Sequence, residues 1–338
     1  MRYFTFLLFF VFLLITGCNI TLTGNVANTQ DYYEDEIKIN VYFCPRDDCS
    51  KIIRDVIDNA EKSVHCAFFD LDLEDLIKAI AKKSHNADVK VVVDNKNYDG
   101  QIKGPGIKIA KSKQYMHNKF CIIDNGLVLT GSMNPTNNGA KLNNNNIIIT
   151  NSRFIAENYE DEFNELWNGV YASGDNVKYN KINSNNVIVE NYFCPEDCTF
   201  KYGGGINKII NLVNNAEKSV KVASFSFTHE ELADELLKAD IKGVDVSVLI
   251  ERRQRNVMNS QYERLRDFGV DIKVDGNKYN MHNKFVIIDD KIVITGSPNY
   301  SWSGNNRNDE NMVVIYNEGL AQKYVGEFNR LFSEGEVV

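Results

Sequence analysis

The chain has 338 residues, a formal net charge of −8 and a pI near 5.3, and 43% of its residues are hydrophobic. That apolar share is enough for a sizeable core, and the length allows one large domain or two small ones. The acidic balance argues against a protein that coats nucleic acid nonspecifically, a task that needs a broad excess of Lys and Arg, but leaves room for a local basic groove.

The chain opens with a targeting pattern. Arg2 supplies a positive start, and Phe4 to Ile15 is apolar apart from Thr5. The run is shorter than the ~20 residues of a membrane span and fits the h-region of a secretory leader over residues 1–18. Ile15-Thr16-Gly17-Cys18 is similar to a lipoprotein box, with Cys18 as the lipidated first residue. A plain cleaved signal and an uncleaved anchor are the alternatives; export to the cell surface or beyond follows from each. Residues 19–36 are polar without apolar period and read as a tether.

A first half follows over residues 37–172. A short strand at Ile39 to Phe43 leads to an amphipathic helix with Ile52, Ile53, Val56, Ile57 and Ala60 on one face. A buried strand at Val64 to Phe69, a helix from Leu73 to Lys83 and a strand at Val89 to Val93 come next. Lys119 to Ile123 and Leu127 to Thr130 form a hairpin across Asn125-Gly126, two residues that tolerate positive φ. The Asn-rich run from Asn137 to Asn146 reads as loop, with Asn145 set apart below. Asn146 to Thr150 is a strand, and a helix then turns Phe154, Phe163, Leu166 and Trp167 inward. Residues 173–186, polar and Asn-rich, form a linker. Residues 187–338 repeat the pattern, ending in a helix from Leu320 to Phe332. Strands alternating with helices imply an α/β, layered α+β fold, with a mixed sheet flanked by helices in each half.

The repeat is explicit in the residues. Tyr42-Phe43-Cys44-Pro45 recurs as Tyr192-Phe193-Cys194-Pro195, and Ala60-Glu61-Lys62-Ser63-Val64 as Ala216-Glu217-Lys218-Ser219-Val220. Met116-His117-Asn118-Lys119-Phe120 recurs as Met281-His282-Asn283-Lys284-Phe285. The offset grows from 150 to 156 to 165, which places insertions near Gly203 to Gly205 and around Arg252 to Tyr262. Cys44 with Cys49, and Cys194 with Cys198, suit local disulfides in an exported protein. One four-thiolate zinc site or reduced thiols are the alternatives. Cys66 and Cys121 read as separate buried small hydrophobes.

His117-x-Lys119 is followed by Asp124 and then Gly131-Ser132-x-Asn134; His282-x-Lys284 is followed by Asp289 and then Gly296-Ser297-x-Asn299, with identical spacings. Residues two apart on a strand share a face, so His117 meets Lys119 while Ser132 and Asn134 return beside them. An imidazole, an ammonium, a hydroxyl and an amide together suit a phosphate. A phosphodiester needs a nucleophile on one side and an acid on the other, which two copies facing across a pseudo-twofold axis would supply.

The duplicated string resembles the hallmark of the phospholipase D superfamily and covers essentially everything after residue 37. The compact halves are most like its nuclease-like and cardiolipin-hydrolase-like branch. The resemblance implies metal-independent phosphodiester cleavage through a phosphohistidine, with no cofactor. His117 would attack, His282 would serve as acid, and Lys119, Lys284, Asn134 and Asn299 would stabilise the phosphoryl oxygens. Ser132 and Ser297 would donate hydrogen bonds to them. It also implies an acceptor behind each imidazole on the strand after the motif: Glu310 behind His282, and Asn145 at the matching place behind His117. Asp124 and Asp289 stand at hairpin mouths, where structural roles prevail. Arg252, Arg253 and Arg255 form a dense basic cluster, either a solvated loop or a phosphate-guiding rim. No carboxylate cluster suited to a metal is evident. The substrate is a phosphodiester, phospholipid favoured and nucleic acid possible, met by a monomer at a membrane surface. The alternatives are a small nonspecific endonuclease and, remotely, an inactive surface binding module.

Overall fold

The computed structural model describes residues 32–199 and 203–338. The expected leader with Cys18, the tether up to residue 31, and residues 200–202 beside the first insertion lie outside the described residues. Among the described residues, no helix is long and apolar enough to cross a membrane.

The first half runs β1 (Tyr32–Glu34), β2 (Ile39–Cys44), α1 (Cys49–Asp58), β3 (Ser63–Phe68), α2 (Glu74–Lys83), β4 (Asp88–Asp94) and β5 (Ile107–Ala110). It continues with β6 (Lys119–Ile123), β7 (Leu127–Gly131), α3 (Asn137–Lys141), β8 (Asn145–Thr150) and α4 (Arg153–Asn168). The second half runs β9 (Lys181–Ser184), β10 (Ile188–Cys194), α5 (Gly205–Asn214), β11 (Ser219–Ser224), α6 (Glu230–Ile241), β12 (Asp245–Ile250), α7 (Tyr262–Asp267) and β13 (Asp271–Val274). It ends with β14 (Lys284–Ile288), β15 (Ile292–Gly296), α8 (Trp302–Asn306), β16 (Glu310–Tyr316) and α9 (Glu318–Glu334).

Both sheets are mixed. The described strands order β2-β8-β7-β6-β3-β4-β5 in one and β1-β9-β10-β16-β15-β14-β11-β12-β13 in the other. In the first, β3, β4 and β5 are parallel, and β3, β6, β7, β8 and β2 alternate antiparallel. All of β3 is buried because both faces are covered. Ile53 and Ile57 of α1 and Leu76 and Ile80 of α2 seal one face, and α5 with α6 does the same for the second sheet.

The opposite faces of the two sheets share one core around α4 and α9. Tyr159 of α4 meets Phe120 of its own sheet and Phe193 of the other edge-on, each at 5.0 Å. Tyr324 of α9 meets Phe285 and Phe43 in the same way, each at 5.1 Å. Such pairs contribute about 1 kcal/mol beyond their buried area. The Asn146 amide donates to Thr295 and to Tyr324, while Thr130 and Tyr159 donate to Asn311. Each long helix therefore serves both sheets.

Several sequence expectations are corrected. The tether and the linker each contain a strand: Tyr32–Glu34 pairs in parallel with Lys181–Ser184, and the Tyr32 ring packs on Phe154 and Tyr179. Strands this short carry no readable period. The Asn-rich run is not all loop. Asn137–Lys141 is a helix capped by Thr136, whose hydroxyl accepts from Gly139 N–H. At the hairpin, positive φ falls on Asp124 and Asn125 (53° and 54°) and not on Gly126. Disulfides join Cys44 to Cys49 and Cys194 to Cys198. Cys66 and Cys121 are not separate hydrophobes: they face each other across β3 and β6, with Cα atoms 4.1 Å apart, and form a third disulfide.

Candidate active site

The two His-x-Lys segments reach one place because each is stitched to the other half. Met116 forms a parallel bridge with Asp309, and Met281 with Asn144. The His117 N–H donates to Asp309 O at 2.9 Å, and the His282 N–H to Asn144 O at 2.8 Å. Both imidazoles, with Asn134 and Asn299, line a single cavity of about 570 Å³.

The stitching exchanges the acceptors. His117 Nδ1 lies 2.7 Å from Glu310 Oε2. His282 Nδ1 lies 2.9 Å from Asn145 Oδ1 and 3.1 Å from Ser132 O. The within-copy pairing expected from sequence is thus corrected to a crossed one. Asn145 cannot rotate freely, since its amide donates to Gly139 O at 2.9 Å. The partner of each ring is an acceptor, so Nδ1 carries the proton and Nε2 points its lone pair elsewhere.

The serines are corrected too. Ser132 and Ser297 are fully buried. Ser132 donates to Asn145 and Ser297 to Glu310, and each accepts a backbone N–H. Their hydroxyl protons are committed to the two acceptors, Asn145 and Glu310. Asp124 and Asp289 sit at the far ends of β6 and β14 from the lysines. Asp124 accepts the N–H groups of Glu61, Lys62 and Ser63; Asp289 accepts those of Glu217, Lys218 and Ser219. Their role is structural. Of the arginines, Arg253 bonds Asn280 at the cavity mouth, Arg252 turns to Glu336, and Arg255 bonds neighbouring Asn256.

Lys119 and Lys284 are buried, each donating to the carbonyl of its own histidine two residues earlier, at 2.5 and 3.0 Å. Phe69 and Phe225 were missed by sequence reasoning. Phe69 stands edge-on to His117 at 4.5 Å and lies 5.0 Å from the Lys119 ammonium; Phe225 does the same for His282 at 4.8 Å and Lys284 at 5.0 Å. Their signal was available, because each follows the matching strand of the repeat.

Burial dominates the electrostatics. It pushes His117 down to about 4 against the opposing pull of Glu310, with Lys119 and Lys284 adding to the depression. His282 is held well below its ordinary value by burial, then by Lys284, Lys119 and His117. Burial lowers Lys119 to about 7, and lowers Lys284 well below the usual range with Lys119 adding repulsion. For Glu310 burial acts upward, but His117, Lys119 and Ser297 outweigh it and keep the carboxyl below its ordinary value. Burial thus disfavours the charged form of both imidazoles and both ammoniums, and an entering anion would favour it again.

One further expectation fails. The fold does assemble a carboxylate cluster, Glu162, Glu165 and Glu196, whose oxygens lie within 4.8 Å of one another. Sequence hid it, because Glu196 comes from the segment after β10 while the others lie on α4.

Two mixed sheets that bring two histidines to one cavity, each with a buried lysine bonded to its carbonyl, define a phospholipase D-type pair of half-domains. Residues 53–167 and 209–332 match the family model described as cardiolipin synthase, PLD-like domain, and the chain belongs to the phospholipase D superfamily. It is 32% identical over 117 residues to a phospholipase D of Rickettsia conorii, an alignment covering 35% of this chain and 58% of that protein. It is 24% identical over 127 residues to a mitochondrial cardiolipin hydrolase of Chlamydomonas reinhardtii, covering 38% of this chain and 57% of that protein. In both cases the match spans a little over half of the relative's length. The phosphatidylserine synthase of Haemophilus influenzae superposes with a TM-score of 0.63 at 13% identity, over 86% of this chain and 85% of that one, and shares the fold.

Proposed function

We propose that this chain cleaves a phospholipid phosphodiester through a phosphohistidine, with His117 as nucleophile and His282 as acid. The observation that carries the assignment is the unequal pair of acceptors. Buried Glu310 holds the proton on His117 Nδ1 and favours the imidazolium-like charge that grows as Nε2 attacks phosphorus. Asn145 offers His282 only a neutral amide oxygen, so a protonated His282 gives up its proton readily.

In the first step, Nε2 of His117 bonds to phosphorus as the P–O bond to the leaving alcohol breaks. His282 Nε2 donates its proton to that oxygen. Water, or a second alcohol, then gives a proton back to His282 and attacks phosphorus, and the P–N bond breaks. The anionic diester, with its charge against two lysines and two imidazoles, raises the proton affinity of His282 on binding. Lys119, Lys284, Asn134 and Asn299 take the charge on the non-bridging oxygens, so the mechanism has no need of a metal at phosphorus.

A lipid substrate agrees with the leader pattern and with the cavity mouth. Tyr115 lines the cavity and is 41% exposed, and Tyr279 and Trp302, chain neighbours of the lining residues Asn280 and Ser301, are exposed at 40 and 56%, as suits side chains that sit in a headgroup layer. The expected setting is a membrane-anchored or secreted monomer, since one chain carries both half-sites. A nonspecific endonuclease is the second reading, favoured by Lys96 stacked at 3.9 Å on Tyr115 at the same mouth, a pairing that suits a nucleobase and its phosphate.

Purified protein is assayed in EDTA against phosphatidylcholine, cardiolipin and single-stranded DNA. Headgroup or phosphatidate release is expected; DNA ladders with untouched lipid would move the assignment to the endonuclease. With bis(p-nitrophenyl) phosphate, whose leaving group needs no acid, His282→Ala is expected to accumulate phosphoenzyme and His117→Ala to form none. The reverse pattern would exchange the two roles.

A further inference from the structure

The pseudo-twofold repeat pairs Glu162 with Glu327, Glu165 with Arg330 and Glu196 with Arg46, just as α4 pairs with α9 and Cys194 with Cys44. At one of the two repeat-related sites, each built from both halves, the buried carboxylate of Glu327 is neutralised by two guanidiniums: Arg46 Nη1 at 2.9 Å and Arg330 Nη2 at 2.7 Å. At the other site both arginine positions are glutamates. The buried Glu162 therefore faces two further carboxylates within 4.8 Å. Among the described residues, no Lys, Arg or His pairs with any of the three.

A second observation points the same way. Asp309 is only 3% exposed. Its Oδ1 accepts the Ala172 N–H, while its Oδ2 is buried without a partner, as is Oε2 of Glu196. The Asp309 charge bears on both Glu162 and Glu196. The buried, half-satisfied carboxylate of Asp309 thus adds its charge to the three glutamates, whereas its repeat partner is the neutral amide of Asn144. A cavity of about 420 Å³, bordered by Glu162, Glu165, Asn158 and Asn176, opens beside them and gives an ion and its waters a way in.

We propose that Glu162, Glu165 and Glu196, with the charge of Asp309 added to theirs, bind one divalent cation that replaces the two arginines of the repeat-related site. An all-oxygen, irregular, carboxylate-rich site suits Ca²⁺, which accepts six to eight oxygens in flexible geometry, better than the octahedral demand of Mg²⁺ or the nitrogen and sulfur preference of Zn²⁺. The site is structural and apart from the phosphodiester cavity. Glu162 Oε1 accepts from Asn118 at 3.0 Å, so the ion would brace the segment between His117 and Lys119 from behind.

The test uses the full chain freed of metal with EDTA. Terbium luminescence and calorimetric titration with CaCl₂ are expected to give one site, and millimolar calcium to raise the melting temperature by several degrees. Glu165→Arg with Glu196→Arg, which copies Arg330 and Arg46, is expected to abolish binding and to keep the higher melting temperature in EDTA. Should the double variant not fold, Glu196→Gln is expected to weaken calcium binding at least tenfold. No binding at millimolar calcium would overturn the proposal in favour of a shared proton between Glu162 and Glu196. Binding unchanged in either variant would overturn it by placing the ion elsewhere.

Discussion

Glu310 and Asn145 occupy the same register in their halves and differ by charge, which makes the two imidazoles unequal. As the proposed nucleophile His117 must be neutral, so activity of the free enzyme is expected to fall as pH drops through about 4. Lys119 must be charged, so activity is also expected to fall as pH rises through about 7. Glu310 raises the proton affinity of His117. Glu310→Gln therefore is expected to move the acid limb of kcat/KM to lower pH and to cut the rate roughly 100-fold, within the usual range for acid–base groups. An acid limb that stays in place would show that Glu310 does not govern His117. The histidines, lysines and asparagines of this cavity were legible as a motif. The roles of Ser132 and Ser297 were not, because a hydroxyl's target depends on what the opposite strand places within 3 Å, and spacing is silent on that.

At the level of elements, long strands and helices were readable because each spans two or more periods. Strands β1, β5, β9 and β13, at three or four residues, and helices α3 and α8, at five, are too short to show one. They are fixed by pairing and capping. The hairpin β6–β7 illustrates the point: Asp124 occupies the left-handed turn and its carboxylate gathers three N–H groups of the segment leading into β3. Asp124→Ala strips all three of their acceptor. The expected cost is about 2 kcal/mol, a fall in melting temperature of roughly 3 °C for a chain of this size. Thermal denaturation measures it, and kcat of the folded variant is expected to change little, since the carboxylate is remote from the cavity. A large loss of kcat in well-folded protein would return Asp124 to the catalytic set.

In the whole molecule, the cavity belongs to neither half. Its backbone bridges, its exchanged acceptors and the aromatic core on α4 and α9 all cross between the two sheets. An anion bound there engages both halves and stabilises the native state by linkage. Inorganic phosphate at about tenfold its dissociation constant is expected to stabilise wild type by about 1.4 kcal/mol, a rise of roughly 2 °C. Lys119→Met combined with Lys284→Met is expected to abolish that shift while leaving the fold intact. A shift that survives in the variant would place the anion elsewhere.

The sequence by itself determined the duplication, the alternation of strands and helices, and the repeated His, Lys and Asn motif, because these follow from residue order and local period. Only the tertiary structure decided which acceptor stands behind which imidazole, that Cys66 meets Cys121, and that Glu196 joins Glu162 and Glu165. Those outcomes depend on the approach of segments tens of residues or more apart, set by sheet order and by the crossing of one half into the other. No pattern along the chain encodes a distance between strands that become neighbours only on folding.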